Sequence, residues 1–160
     1  PPIVVGPSLA GFSTSGSDDM IKSFSNGSLK SGAPPVAFGM IDVRDVAEAH
    51  VRAAFMNNAN GRYIILDRAV SFLNVGQILS NKFGPQKTFP KNELPKWLLW
   101  LIGPIVDKSI TRKFISNSFG YKLSADNSKS IKDLKMKYEP VDKAIEEMYQ
   151  QLLDNKSFQK

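Results

Sequence analysis

Two chemically versatile residue types are nearly missing from this sequence, which has no cysteine and one histidine in 160 residues. Without cysteine the chain forms no disulfide and no thiolate metal site, and a single histidine excludes a His-rich metal cluster. This composition is typical of a reducing compartment, so we expect the cytoplasm. No apolar run reaches the roughly 20 residues that span a bilayer either.

Phosphate-binding glycine motifs are absent as well. Neither G-x-x-G-x-x-G nor G-x-x-x-x-G-K-S/T occurs, and Gly6, Gly11 and Gly16, spaced by five, match neither pattern. The loop around them, residues 8–17, is rich in hydroxyl groups that suit a phosphate or a ribose, but loops of this composition are common. The glycines therefore identify no nucleotide site by themselves.

The titratable residues form no recognisable catalytic set. Asp42 and Asp45 are near enough in sequence to act as an acid–base pair, but helix capping and turn fixing explain them more simply. His50 has no carboxylate or nucleophile beside it, which favours a packed structural histidine. From the residues alone we predict no complete active site.

Charge is distributed unevenly along the chain. Residues 1–80 carry six Lys/Arg and six Asp/Glu, whereas residues 81–160 carry fifteen and nine and so hold the entire net charge of +6. A basic half suits anionic ligands, nucleic acid or an anionic membrane. Its lysines alternate with acids, however, and no basic run with interleaved aromatics marks a nucleic-acid groove. We expect a solvated face and no nucleic-acid partner, and we favour this over a membrane surface.

What is present is ordinary globular material, 42% hydrophobic and 22% charged, in a chain about one domain long. Its central stretch is Phe38–Met56, in which a short apolar run predicts a strand and a helix follows. We predict that Asp45 caps this helix by accepting free backbone N–H groups of the first turn.

Strands and helices alternate along the rest of the chain. Ile3–Val5 is a continuous apolar run typical of a buried parallel strand, and Arg62–Leu66 predicts a second short strand. Phe72–Phe83 has helical spacing, and a closing helix is expected from Pro140. This alternation predicts an α/β fold.

The segment Trp97–Ile102 is the most apolar helix candidate, and Gly103-Pro104 is expected to kink or break it. Three roles are open for it: a core helix, a roof over an apolar substrate pocket, or a helix lying in a membrane interface through its two tryptophans.

Three segments in order carry a family resemblance. They are PPIVVGP at residues 1–7, MIDVRDVAEAH at residues 40–50 with GRYI at 61–64, and SADNSKSIKDL at 124–134 followed by YEP at 138–140. Together they resemble the C-terminal half of the extended short-chain dehydrogenase/reductases, within the NAD-dependent epimerase/dehydratase superfamily. The resemblance is strongest to the group of dihydroflavonol reductase, cinnamoyl-CoA reductase and 3β-hydroxysteroid dehydrogenase. Lys135 stands where this group usually has glycine.

The resemblance implies the last strands of a Rossmann-type parallel sheet and a mostly helical substrate-binding region. Residues 1–70 would end the dinucleotide-binding domain, and residues 71–160 would bind substrate. The family's Gly-rich cofactor loop and its Tyr-x-x-x-Lys pair are absent from this sequence, so we assign no catalytic residue here. Because the chain also begins on a predicted core strand, we expect the C-terminal part of a longer protein, inactive without its N-terminal half.

The implied activity of the parent protein is NAD- or NADP-dependent reduction or oxidation of a small carbonyl or hydroxy substrate. Two alternatives stay open: a nucleotide-sugar epimerase or dehydratase, and a non-catalytic module whose basic, tryptophan-containing half meets a membrane or a partner. Expected partners are a small-molecule substrate, the N-terminal half of the same protein and, through an exposed strand edge, further copies of the chain.

Site residues follow from the same resemblance. The strand after the catalytic helix lies beside the nicotinamide in the family, and the hydroxyl loop meets the phosphate or ribose. The implied cofactor contacts are Pro1, Val4, Ser13, Thr14 and Ser15. The implied substrate contacts are Phe12, Phe89, Trp97, Trp100 and Arg112. Asp45 keeps a capping role, and no metal ligand is expected.

Overall fold

The computed structural model describes residues 2–10, 15–106, 111–121 and 123–155, without the side chains of 104–106. Within this part the chain forms one three-stranded sheet and seven helices. The strands are β1 (Ile3–Val5), β2 (Ala37–Asp42) and β3 (Arg68–Ser71). The helices are α1 (Gly16–Lys22), α2 (Val43–Phe55), α3 (Phe72–Phe83), α4 (Lys96–Val106), α5 (Arg112–Ser118), α6 (Ser128–Asp133) and α7 (Val141–Asp154).

The sheet is mixed and has the order β1-β2-β3. β1 runs parallel to β2, with Val5 opposite Asp42, so the predicted parallel strand is confirmed. β2 and β3 are antiparallel, with Phe38 opposite Val70. Parallel neighbours need a long crossover, which residues 6–36 supply with α1 in their middle.

The predicted strand at Arg62–Leu66 is wrong. Pairing with β2 begins further on, where the amide of Asp67 donates to the carbonyl of Met40 at 3.2 Å. Leu66 is buried by side-chain packing instead. It lies directly over Gly39 of β2, where a Cβ on the glycine would be only 2.8 Å from Cδ1 of Leu66. An apolar run joins a sheet only where a strand pairs with it, and no strand in the described part of the chain pairs with residues 62–66.

α2 begins three residues earlier than predicted, because its N-cap is Asp42 rather than Asp45. The carboxylate of Asp42 accepts the amide of Arg44 at 2.8 Å. Asp45 is fully inside the first turn, and its carboxylate accepts the backbone amide of Glu139, 94 residues away, at 3.1 Å. The helix start is therefore held by one aspartate and the C-terminal segment by the other.

The two helices predicted from periodicity, α3 and α7, are confirmed, and they pack against each other in the main core. α7 inserts one face into the core: Val141, Ala144, Ile145, Met148, Tyr149 and Leu152. Each fully buried aliphatic side chain of this kind contributes about 1.5–3 kcal/mol relative to its exposed state. The core also takes Val5 and Met40 from the sheet, so α7 covers the face of β1 and β2.

α4 and α5 form a hairpin, here called the α4–α5 hairpin, at the start of β2. Leu99 of α4 packs with Ile115 and Phe119 of α5 against Val36. The expected break at Gly103-Pro104 does not occur, since α4 continues to Val106. None of the described helices combines the length and the apolar character that crossing a membrane requires.

Candidate functional site

A cavity of about 640 Å³ opens at the carboxyl ends of β1 and β2. In sheets with parallel strands, ligands bind outside these ends. The wall comes from the loop after β1, from the start of α1, from the first turns of α2 and from α7. The lining residues are Val4, Val5, Gly6, Pro7, Ser8, Leu9, Ala10, Ser15, Ser17, Asp18, Val43, Arg44, Ala47 and Met148. Most of this lining is apolar, with a few polar groups, as in sites for organic ligands.

Gly6 directly follows β1 and allows the chain to turn towards the cavity. Its φ is +137°, a conformation that side-chain-bearing residues rarely adopt. A Cβ at this position would lie 2.8 Å from Cγ1 of Val43. Glycine therefore lets the chain turn out of the sheet while α2 starts directly beside it.

The loop after β1 is fixed to α7 through the backbone of Ser8. The amide of Ser8 donates to Oε1 of Gln151 at 2.7 Å, and Nε2 of Gln151 donates back to the carbonyl of Ser8 at 2.8 Å. One side-chain amide thus satisfies both backbone groups of one loop residue. The cavity wall is held by a residue 143 positions away in the sequence.

Arg44, which lines the cavity, belongs to a charged cluster at the start of α2. Asp42 is buried and accepts Nε of Arg44 at 2.9 Å, and Nη2 of Arg44 also lies 2.9 Å from the carboxylate of Glu147 on α7. Burial opposes ionisation of Asp42, but the hydrogen bonds and positive charge of Arg44 outweigh it and hold the pKa of Asp42 below its usual value. The same hydrogen bond to Asp42 raises the pKa of Arg44 further. The pair is therefore ionised at neutral pH.

Ser15 lies at the mouth of the cavity and caps α1. Its Oγ accepts the amide of Asp18 at 3.3 Å, and the carboxylate of Asp18 accepts the amide of Ser15 at 3.3 Å. This reciprocal arrangement is a capping box. Ser15 therefore lines the cavity from a fixed position.

Val4 also lines a second cavity, of about 510 Å³, which borders both β1 and β2. The other lining residues are Pro2, Gly39, Val46, Tyr63, Ile64, Ile65, Leu66, Leu123 and Ala125. The side chain of Val4 is 37% exposed. Val4 thus borders both cavities, and among the described residues β1 has a strand neighbour on one side only.

The first cavity suits an apolar organic group better than a row of phosphates. Arg44 is the basic side chain among the lining residues, and Asp42 and Glu147 already neutralise it. No glycine-rich phosphate loop occurs in the sequence. In the described part of the chain, no group of three or more histidine or carboxylate side chains is placed to hold a metal ion.

The predicted cofactor contacts are placed as follows. Val4 and Ser15 both line the first cavity, so these two come together. Pro1, Ser13 and Thr14 lie outside the described residues.

The predicted substrate contacts do not form one group. Phe12 lies outside the described residues. Phe89 is buried in the main core with its ring centroid 5.9 Å from that of Tyr149, which assigns it a packing role instead. The guanidinium of Arg112 lies over the ring of Trp100, 4.8 Å from the centroid, and Trp97 is exposed on the same helix. The α4–α5 hairpin thus holds these three together, and the lining of neither cavity includes them.

Other titratable residues have structural roles. Burial raises the pKa of Asp45, although the amide of Glu139 lowers it, and the charges of nearby carboxylates raise it further. His50 is exposed rather than packed, and its Nδ1–H donates to the carbonyl of Val46 at 2.7 Å. Gly6, Arg44 and Gln151 were missed as site residues. The Gly-Pro pair after an apolar strand was a usable signal for Gly6, whereas no sequence pattern connects Gln151 to Ser8.

Comparison with known proteins gives matches in solved structures alone, since no protein-family model and no curated protein matches the sequence. The yeast methylglyoxal/isovaleraldehyde reductase Gre2 complexed with NADPH matches with a TM-score of 0.60 and 24% identity, over 96% of this chain and 44% of that chain. Gre2 from Candida albicans in complex with NADPH matches with a TM-score of 0.62 and 24% identity, over 96% and 42%. The protein gox2253 matches with a TM-score of 0.68 and 18% identity, over 96% and 48%.

These likenesses establish the fold. The chain has the α/β fold of the C-terminal part of Rossmann-type short-chain dehydrogenase/reductase structures, as the sequence resemblance predicts. It spans less than half the length of the three chains that it matches.

Proposed function

We propose that this chain is the C-terminal half of an NADPH-dependent reductase that converts a small aldehyde or ketone to an alcohol. The main support for this proposal is the cavity at the carboxyl ends of β1 and β2. The fold that contains this cavity is similar to part of solved reductases complexed with NADPH. The size, apolar lining and fixed walls of this cavity support the binding of a cofactor ring next to a small apolar substrate.

In this proposal NADPH supplies the hydride, and the residues of this chain bind and orient. Val4 would contact the nicotinamide, and Ser15 would bind the ribose at the mouth of the cavity. Arg44 takes no part in phosphate binding because Asp42 and Glu147 neutralise it. The apolar lining excludes water from the ring. Proton transfer to the substrate oxygen comes from a residue outside this chain, because no Tyr-x-x-x-Lys pair occurs here.

The N-terminal half is the proposed partner at the free edge of β1. An unpaired strand edge leaves backbone N–H and C=O groups available for pairing with another strand. The exposed Val4 on β1 adds apolar surface that the N-terminal half would cover. In the absence of that half we expect self-association of the chain and no turnover of NADPH with any aldehyde.

The test compares two glycine substitutions in the complete protein. Gly6→Ala places a methyl group 2.8 Å from Val43 at the first cavity, whereas Gly84→Ala meets no atom within 4 Å, although both glycines have positive φ. NADPH oxidation is followed with methylglyoxal, isovaleraldehyde and larger aldehydes. Both variants carry a backbone strain of about 1–3 kcal/mol, because both φ values lie where residues with a side chain are rare. We expect Gly6→Ala to raise the Kd for NADPH at least about tenfold, since closing a site by a fraction of an ångström is costly.

Three results would contradict the proposal. The first is no NADPH binding by the complete protein. The second is an unchanged Kd in the Gly6→Ala variant when circular dichroism shows that it is folded. The third is turnover by the isolated 160-residue chain, which would place the cofactor site and the proton donor within it.

A further inference from the structure

α4 exposes an apolar stripe that nothing in the described structure covers. Trp97, Trp100 and Leu101 are 68%, 44% and 51% exposed, and their spacing of three and four residues puts them on one side of the helix. Leu99 points the other way and packs against the cluster around Val36. The helix is thus seated on the protein by one face and presents its largest aromatic residues to solvent. For an ordinary surface helix, charged or polar residues would occupy that outer face.

A basic side chain of α5, that of Arg112, stands beside this stripe. The guanidinium of Arg112 stacks on Trp100, and Lys113 next to it is exposed. Phe114 adds a further apolar side chain that is 47% exposed. We call these six residues the tryptophan surface: Trp97, Trp100, Leu101, Arg112, Lys113 and Phe114.

The hairpin is held together from within, so the surface is presented on a defined scaffold. Nζ of Lys96 donates to the carbonyls of Ser116 and Phe119, at 2.9 and 2.7 Å, and thereby ties the start of α4 to the end of α5. Gly120 donates its amide to the carbonyl of Pro35 at 2.7 Å, which fixes the hairpin to the segment before β2.

Acidic residues are nearly absent from this part of the chain. Residues 94–121 contain four basic side chains and one acidic side chain, Asp107, which lies outside the described residues. The tryptophan surface itself carries two positive charges and no carboxylate. The lysines of the C-terminal region, by contrast, are interspersed with acids such as Asp133, Glu139 and Asp142.

We propose that the tryptophan surface binds the headgroup region of an anionic lipid bilayer. Tryptophan prefers the membrane–water interface, where its ring has an apolar body and a polar N–H, and arginine and lysine reach anionic headgroups from the same depth. A second copy of the chain fits less well, because two like-charged basic surfaces would face each other. The contact is peripheral, with α4 lying along the surface.

The two tryptophans provide a direct readout, since Trp97 and Trp100 are the only ones in the sequence. Vesicles of phosphatidylcholine with 30% phosphatidylserine are added to the protein, and vesicles of phosphatidylcholine alone serve as the comparison. We expect a blue shift of the tryptophan emission with the anionic vesicles, and quenching by lipids brominated near the headgroup. Raising the salt from about 0.05 to 0.5 M shortens the Debye length several-fold and should weaken binding at least about tenfold.

Matched variants distinguish binding through this surface from non-specific binding to vesicles, and co-sedimentation measures the bound fraction. Trp97→Ala and the double variant Arg112→Ala/Lys113→Ala should each lower the bound fraction at least about fivefold, because each removes an anchor or two charges. Phe55→Ala, at a residue 80% exposed on α2, and Lys132→Ala/Lys137→Ala on the C-terminal region should bind as the wild type does.

Several outcomes would overturn the inference. They are equal binding to neutral and anionic vesicles, equal loss in the control variants, and no emission shift in any vesicle. If the protein does not bind vesicles but self-associates, and if Trp97→Ala abolishes this self-association, the surface is an interface with a second copy of the chain. The assay is repeated on the complete protein, where loss of binding would show that another part of the chain covers the surface. NADPH binding is independent of every one of these readouts.

Discussion

The most informative single substitution is Asp42→Ala, since this buried carboxylate joins three elements. It caps α2 through the amide of Arg44 at 2.8 Å, and it holds the Arg44 side chain, which in turn reaches Glu147 on α7 at 2.9 Å. It also sits at the carboxyl end of β2, opposite Val5. Its removal therefore releases the start of α2 and one of the links between α2 and α7.

The expected loss follows from these contacts. Replacing an aspartate cap by alanine costs about 1 kcal/mol of unfolding free energy. The hydrogen bonds to the guanidinium add about 1.5 kcal/mol, the low end of the usual range, because the Arg44 side chain is 49% exposed and regains water. We expect a loss of about 2–3 kcal/mol for Asp42→Ala and about half of that for Asp42→Asn, since asparagine still caps.

The assay is urea unfolding followed by circular dichroism, with Glu48→Ala as the control. That substitution removes the exposed ion pair between Glu48 and Arg52 and should change stability by less than about 0.5 kcal/mol. Because the native pKa of Asp42 is lowered, its contribution is present above about pH 4 and is lost as the pH falls through the native pKa. A loss equal to that of Glu48→Ala, or a gap between wild type and Asp42→Asn that widens in acid, would refute the reasoning.

Three further substitutions test individual contacts. The native pKa of Asp45 is raised, so its contribution to the free energy of unfolding is full below about pH 4 and declines as the pH rises. In urea unfolding at pH 7 the Asp45→Asn variant should therefore be at least as stable as the wild type, and at pH 4 it should lose that advantage. Gly39→Ala puts a methyl group 2.8 Å from Leu66 and should cost about 1–3 kcal/mol, whereas Gly16→Ala, which meets no atom within 4 Å, should cost nothing; equal effects would contradict this packing. Lys135 has a φ of +55°, so Lys135→Gly should raise the thermal midpoint by relieving about 1 kcal/mol of strain, and a lowered midpoint would contradict it.

The elements that could be predicted are those whose signal is local. The span of α3 and the start of α7 follow from the sequence, because their apolar residues recur with helical spacing and because Gly84 and Pro140 mark an end and a start. The unusual lysine at position 135, where the resemblance expects glycine, coincides with a positive φ. In each case the physical cause of the structure lies within a few residues of its signal.

The errors come from contacts between distant residues. The segment D-V-R-D offers two carboxylates for one helix start, and the choice between them depends on Glu139, to which Asp45 is committed. The apolar run at 62–66 has the composition of a strand, but hydrogen-bonding partners decide what becomes a sheet. The cavity wall depends likewise on Gln151, which no local pattern links to the loop that it holds.

The positions of the cavity and of the tryptophan surface decide whether one protein can bind NADPH and a lipid bilayer at the same time. The α4–α5 hairpin packs around Val36 at the start of β2, whereas the cavity opens at Asp42, where β2 ends. With a rise of roughly 3.3 Å per residue, the six residues of β2 separate these points by about 17 Å. A bilayer headgroup layer contacted by α4 therefore leaves the cavity mouth open to water on the far end of the sheet. Lipid binding should then leave the Kd for NADPH unchanged, and a change on adding anionic vesicles to the complete protein would show that the two sites are coupled.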